Sequence, residues 1–93
     1  MILSYRDKRA EAIARGEFVR DFQGFASQLN KRLEILDAAT SIEDLRALPS
    51  NRFEALKGNR VGQFSIRINQ QWRMCFNWPQ GANGPSELEI ADY

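Results

Sequence analysis

The chain contains no histidine, and so lacks both the side chain that titrates nearest neutral pH and the commonest nitrogen ligand of metals. Zinc chemistry and histidine-based triads are excluded. A lone cysteine, Cys75, cannot close an internal disulfide, and its setting in "MCF" gives it the role of a small buried hydrophobe. No apolar run approaches the roughly 18 residues of a membrane span. The opening "MILSYRDKRAEA" turns charged after its first residues, unlike a secretion signal, so a cytoplasmic protein with no membrane partner is expected. Charge of one sign is also missing: 13 Lys and Arg stand against 12 Asp and Glu, a net +1. Without a global basic signature, any hold on nucleic acid must come from a local patch. There is no Pro/Gly/Ser-rich linker, repeat or low-complexity run, and 93 residues suffice for one compact core. A single domain over residues 1–93 follows.

What is present falls into a helical half followed by a strand-rich half. "ILSY" is β-prone and too short to stand alone, so it is expected to join a sheet formed later. "DKRAEAIAR" reads as a short helix closed by Gly16. From Asp21 to Ala39 the apolar residues Phe22, Phe25, Ala26, Leu29, Leu33 and Leu36 recur at helical spacing. In "TSIEDL", Thr40 stands three residues before Glu43, the spacing of a capping box, and Pro49 ends the helix it starts. Strands are then predicted in "FEAL", "VGQFSIRI", "QWRMCFNW" and, after the turn-rich "PQGANGP", "ELEIADY". The fold class is α+β, with N-terminal helices packed on one face of a mainly antiparallel sheet.

The central hairpin fixes which residues share a face. A two-residue loop would set Arg67 against Trp72 and mix charged with apolar side chains on both faces, whereas a loop of Asn69 to Gln71 sets Ile68 against Trp72, Ile66 against Met74 and Phe64 against Phe76. The second register is expected because it yields one apolar face. It also opposes Arg67 to Arg73, and directly opposed like charges destabilise a sheet by an amount comparable to the roughly 0.2–1 kcal/mol of a good cross-strand pair. Two kinds of anion answer this: a structural carboxylate, Glu87 or Glu89 on the last strand, or a phosphate gripped by the two guanidinium groups. Charge is segregated accordingly, with Lys57, Arg60, Arg67 and Arg73 and no acid in residues 57–73, and Glu87, Glu89 and Asp92 with no base in 83–93.

Three stretches, "LDAATS", "LKGNRVGQFSIRINQQWRMCF" and the terminal "EIADY", resemble the HigB toxins, a branch of the RelE/ParE toxin superfamily also described as plasmid-maintenance killer proteins. The resemblance implies a RelE-like fold with a curved sheet. It also implies a ribosome-dependent endoribonuclease that cuts messenger RNA (mRNA) in the ribosomal A site, with the substrate's own 2′-OH as nucleophile and no metal or other cofactor. Held against the family's motifs, Lys57 is a candidate for proton transfer or charge stabilisation and Arg73 for the scissile phosphate. Arg67 and Arg60 are candidates for binding RNA, and Asp92 and Tyr93 match the catalytic end of the terminal motif. Without the resemblance, Lys57 and Arg60 read as solvated loop residues, Trp72 and Trp78 as core, and Asp92 as a structural carboxylate.

The same resemblance implies a HigA-like antitoxin with a helix-turn-helix domain as partner, with DNA reached only through it; the polar face around Gln28, Lys31 and Arg32 is the expected contact. Relatives usually end in "DYH", and some carry histidine at the position of Glu54, so a folded chain with weakened catalysis is expected. The alternative functions are a ParE-like inhibitor of DNA gyrase and a binding-only partner of the antitoxin.

Overall fold

The computed structural model describes residues 1–92. Three helices, α1 (Lys8–Ala14), α2 (Ala26–Ala38) and α3 (Ile42–Arg46), precede four strands, β1 (Glu54–Ala55), β2 (Gln63–Arg67), β3 (Trp72–Asn77) and β4 (Ser86–Asp92). The strands form an antiparallel meander in the order β1-β2-β3-β4. Among the described residues, no helix is long and apolar enough to cross a membrane.

Helix α1 starts where Asp7, in extended conformation, accepts the backbone N–H of Arg9 at 2.9 Å, and ends into Gly16, whose φ of +83° suits a residue without a Cβ. The periodic segment that follows is helical over most of its length, with Leu29, Leu33 and Leu36 buried. Its first part departs from expectation: Arg20–Phe25 is a 3₁₀ turn, and Phe25, at φ −138° and ψ 25°, separates it from α2. Tertiary packing accounts for the break. The Phe25 ring stacks on Trp72 at 5.2 Å while Phe22 meets the same indole edge-on at 5.7 Å, so the chain gives up a helical residue for an aromatic cluster.

The cap of α3 is shifted by one residue from the expected Thr40–Glu43 pair. Ser41 is the N-cap and accepts from Asp44 N, while the Asp44 carboxylate accepts both the backbone N–H and the hydroxyl of Thr40. Glu43 instead lies 3.8 Å from Arg46. The spacing rule had the right length and the wrong starting residue, because adjacent Thr and Ser both satisfy it.

The hairpin register agrees with the three-residue loop: Phe64 pairs Phe76, Ser65 pairs Cys75, Ile66 pairs Met74 and Arg67 pairs Arg73. The Asn69 side-chain oxygen holds the turn, accepting the N–H groups of Gln71 and Trp72 at 2.8 Å each. Ile66, Met74, Phe76, Leu88 and Ile90 join Phe22, Leu29, Leu36 and Leu45 in one buried cluster between the helices and this face. Each such side chain contributes roughly 1.5–3 kcal/mol by leaving water.

The opening segment joins the sheet as anticipated, by one parallel bridge between Tyr5 and Leu88. Opposite it, β4 bulges: from Cys75 to Asn77 β3 advances two residues, while from Ser86 to Glu89 β4 advances three. Glu87 takes φ +54° there, and the Ser4 hydroxyl stabilises it by accepting its N–H at 2.9 Å and donating to its carboxylate at 3.1 Å.

Candidate nucleic-acid interface on the sheet

Alternation along β2 and β3 directs Ser65, Arg67, Arg73 and Cys75 away from the helical core. Their face is polar and cationic, yet Ser65 and Cys75 are 0% and 1% exposed, so longer side chains cover the sheet's centre. The opposed arginines avoid each other by turning in different directions. Arg67 Nε donates to the carbonyl of Asn69 at 3.1 Å, whereas Arg73 Nε donates to the Ser65 hydroxyl and Arg73 Nη2 to the Arg52 carbonyl, both at 2.8 Å.

A relay of contacts from the helices fixes that second carbonyl. Arg32 on α2 donates to the Asn51 side chain at 2.8 Å, and buried Asn51 in turn donates to the carbonyl of Leu45. Arg52 follows in the left-handed region at φ +48°, which turns its carbonyl toward Arg73. Arg32 therefore holds the connection into β1, with its guanidinium engaged within the chain. Gln28 and Lys31 are exposed.

The carboxylates are distributed differently from expectation. Glu89 faces Cys75 across the strands and accepts Arg60 Nη1 at 3.0 Å, and the same nitrogen donates to Gln63 at 3.0 Å. Glu87 is held by Ser4 at the bulge. Among the described residues, the carboxylate beside the arginine pair is Glu54 on β1, 3.9 Å from Arg73 Nη2. In the sequence Glu54 stands out only as a departure from relatives, since β1, two residues long, is too short to reveal its facing by periodicity. Its Cα partner is Ser65, and that register puts it on the cationic face.

Lys57 is exposed at the start of the Gly58–Arg60 turn and shares a shallow recess of about 300 Å³ with Glu54, Ala55 and Leu56. The structure thus brings together Arg67, Arg73 and Glu54, with Lys57 two residues beyond the short β1 strand. Arg60 reaches the same face from its turn with its guanidinium already on Glu89. Asp92 stands apart: its partner is Trp72, on the parity of Ile90, and its exposed carboxylate accepts the side-chain amide of Gln71 at 3.1 Å. Tyr93 lies outside the described residues. Trp78 is core at 9% exposure, and Trp72 packs on Phe22 and Phe25, as their strand parity required.

Fold and sequence both have relatives. The structure of the YoeB-YefM complex from Staphylococcus aureus is similar in fold, with a TM-score of 0.56 at 18% identity, covering 100% of this chain and 99% of that one. The sequence is 35% identical over 54 residues to Endoribonuclease HigB of Proteus vulgaris, across 58% of each chain. To Toxin HigB-1 of Vibrio cholerae it is 41% identical over 88 residues, across 87% of each. The family model described as the RelE-like toxin of type II toxin-antitoxin system HigB matches residues 17–89, so α2, α3, the arginine hairpin and most of β4 fall within the match, and the chain belongs to this family of HigB-like toxins.

Proposed function

We propose that this toxin is an endoribonuclease that cuts mRNA in the ribosomal A site. The observation that carries the reading is the opposed pair Arg67 and Arg73 on the sheet face turned away from the helices, with Glu54 3.9 Å from Arg73. Anchored on backbone carbonyls, both guanidinium groups stay on one face, and guanidinium groups match the bidentate geometry of phosphate oxygens. The name of the Proteus vulgaris relative, an endoribonuclease, supports the same reading.

Cleavage joins the 2′-oxygen to the adjacent phosphorus and expels the 5′-oxygen, giving a 2′,3′-cyclic phosphate and a 5′-hydroxyl. The protein must orient the 2′-OH, accept its proton and neutralise charge on the phosphoryl oxygens. Arg73 and Arg67 supply the positive field at the phosphate. Lys57 adds to it, or gives a proton to the leaving oxygen. Among the described residues, Glu54 is the carboxylate of this face placed to receive the 2′-OH proton, being exposed and only 3.9 Å from Arg73, whereas Glu89 is half-buried and held by Arg60 at 3.0 Å. Asp92 acts from the sheet's end in this scheme, and Tyr93 supplies stacking or acid/base chemistry. The partner that restrains the activity is a HigA-like antitoxin.

Primer extension on mRNA translated in a purified system tests the reading. Cuts inside codons that require ribosomes are expected. Intact mRNA beside inhibited gyrase supercoiling would instead assign the toxin to the ParE-like activity, and inactivity in both assays to a binding-only role.

A further inference from the structure

A hollow lies on the helical side, away from the arginine face. About 400 Å³ in volume, it has a floor of Ile2, Ile13 and Leu33 and carries Glu34 and Asp37 on its wall. A second hollow of about 240 Å³ continues it past Ile13, Gly16 and Asn30, which line both, to Glu17 and Phe18. Phe18 is 72% exposed at the far end, an unusual position for a large apolar side chain. The two form one groove of mixed polar and apolar lining between α1 and a face of α2 that runs from Ala26 to Asp37.

Its ionisable side chains are of one sign, with the Met1 ammonium donating to the Asp37 carbonyl beside them. Three carboxylates line it, and no lysine or arginine does so among the described residues. Asp37 accepts the N–H of Ile2, and Glu17 lies 3.8 Å from Arg15, but Glu34 has no hydrogen bond or ion pair among the described residues. The Tyr5 hydroxyl, which lines the groove, is pushed above its ordinary pKa by burial first, then by Asp37 and Glu11, with Arg15 opposing. An RNA phosphate is repelled from such a groove, and an apolar peptide segment bearing lysine or arginine is drawn to it.

The geometry points to this groove as the docking surface for the antitoxin, through an amphipathic segment that sets aliphatic side chains against Ile2 and the exposed Phe18 and a basic side chain against Glu34. Charge complementarity selects that chemistry, and membership of a toxin-antitoxin family supplies a protein partner to carry it. The inference rests on the family and not on RNA cleavage, so an absence of ribonuclease activity leaves it standing.

Isothermal titration of the full chain with the full-length antitoxin of the same pair tests it. Asn30→Trp fills the junction of the two hollows from an exposed position, and Glu34→Lys reverses the unpaired charge. Each is expected to weaken binding at least about tenfold, a loss of about 1.4 kcal/mol, while Lys31→Glu, at an exposed position that lines neither hollow, changes it less than about twofold. Circular dichroism confirms that the variants fold. Unchanged affinity in both groove variants overturns the proposal, as does weakening by Arg67→Ala alone, which would put the antitoxin on the sheet. So does sedimentation showing that Asn30→Trp abolishes self-association without altering antitoxin binding, since the groove would then belong to a second copy.

Discussion

Arg67 and Arg73 are Cα partners across β2 and β3, yet their guanidinium groups are held by different carbonyls, those of Asn69 and Arg52. The repulsion that the register imposes is thus relieved by divergence, with the backbone as anchor, and the sheet keeps two cations on one face. Four features of this arrangement, and one of a cap remote from it, lead to measurable outcomes.

Glu54 is the carboxylate beside Arg73. Glu54→Gln preserves its shape and removes its capacity to accept a proton, so single-turnover cleavage on ribosomes is expected to fall about 10²-fold, the lower range for loss of a general base. Glu54 is more than half exposed, so thermal unfolding should shift little. An unchanged rate assigns proton transfer to another group.

Arg60 and Glu89 bridge the cationic face, at 35% and 27% side-chain exposure. A double-mutant cycle with Arg60→Ala and Glu89→Ala is expected to give a coupling of about 0.5–1 kcal/mol at low salt, shrinking as salt rises. Glu89→Gln should also tighten RNA binding by removing a negative charge from the face, read by titration of fluorescent single-stranded RNA.

Phe22 is wholly buried and meets Trp72 edge-on. Phe22→Ala is expected to cost about 3–5 kcal/mol by urea unfolding, with Trp72 emission moving to longer wavelength. The effect should reach function, because Trp72 immediately precedes Arg73.

Asp44 has its pKa lowered by the Thr40 N–H first, then by the Thr40 hydroxyl. A carboxylate depressed in the folded state contributes stability that is present above its unfolded pKa, about 3.9, and lost as pH falls through the lower folded value. The difference in melting temperature between the wild type and Asp44→Ala should therefore be constant above pH ~5 and shrink only below that unfolded value.

The hairpin was legible in the sequence because two-residue periodicity over Phe64–Arg67 and Trp72–Phe76 admits one register with a clean apolar face. Helix α2 was legible for the same reason at helical period. What escaped was set by contacts remote in sequence. Nothing near Phe25 announces that Trp72 will draw it out of the helix, and β1 has too few residues to show which way Glu54 points. Glu89 and Glu87 were equally plausible partners for the arginines until the bulge in β4 and the turn carrying Arg60 were placed in space. The family match raised Lys57 and Arg60 above ordinary loop residues, and the structure then distinguished them: Lys57 is exposed beside Glu54, whereas Arg60 is bound to Glu89.

Single-turnover cleavage of ribosome-bound mRNA by the wild type, Arg73→Lys and Arg73→Ala, with Trp72 emission confirming the fold of each, tests the central claim most directly. If the arginine pair grips the scissile phosphate, Arg73→Ala loses at least about 10²-fold in rate. Arg73→Lys recovers only part of it, since a lysine cannot make the bidentate contact. Folded variants that both cut within about twofold of the wild-type rate would contradict the account and remove the phosphate from this face of the sheet.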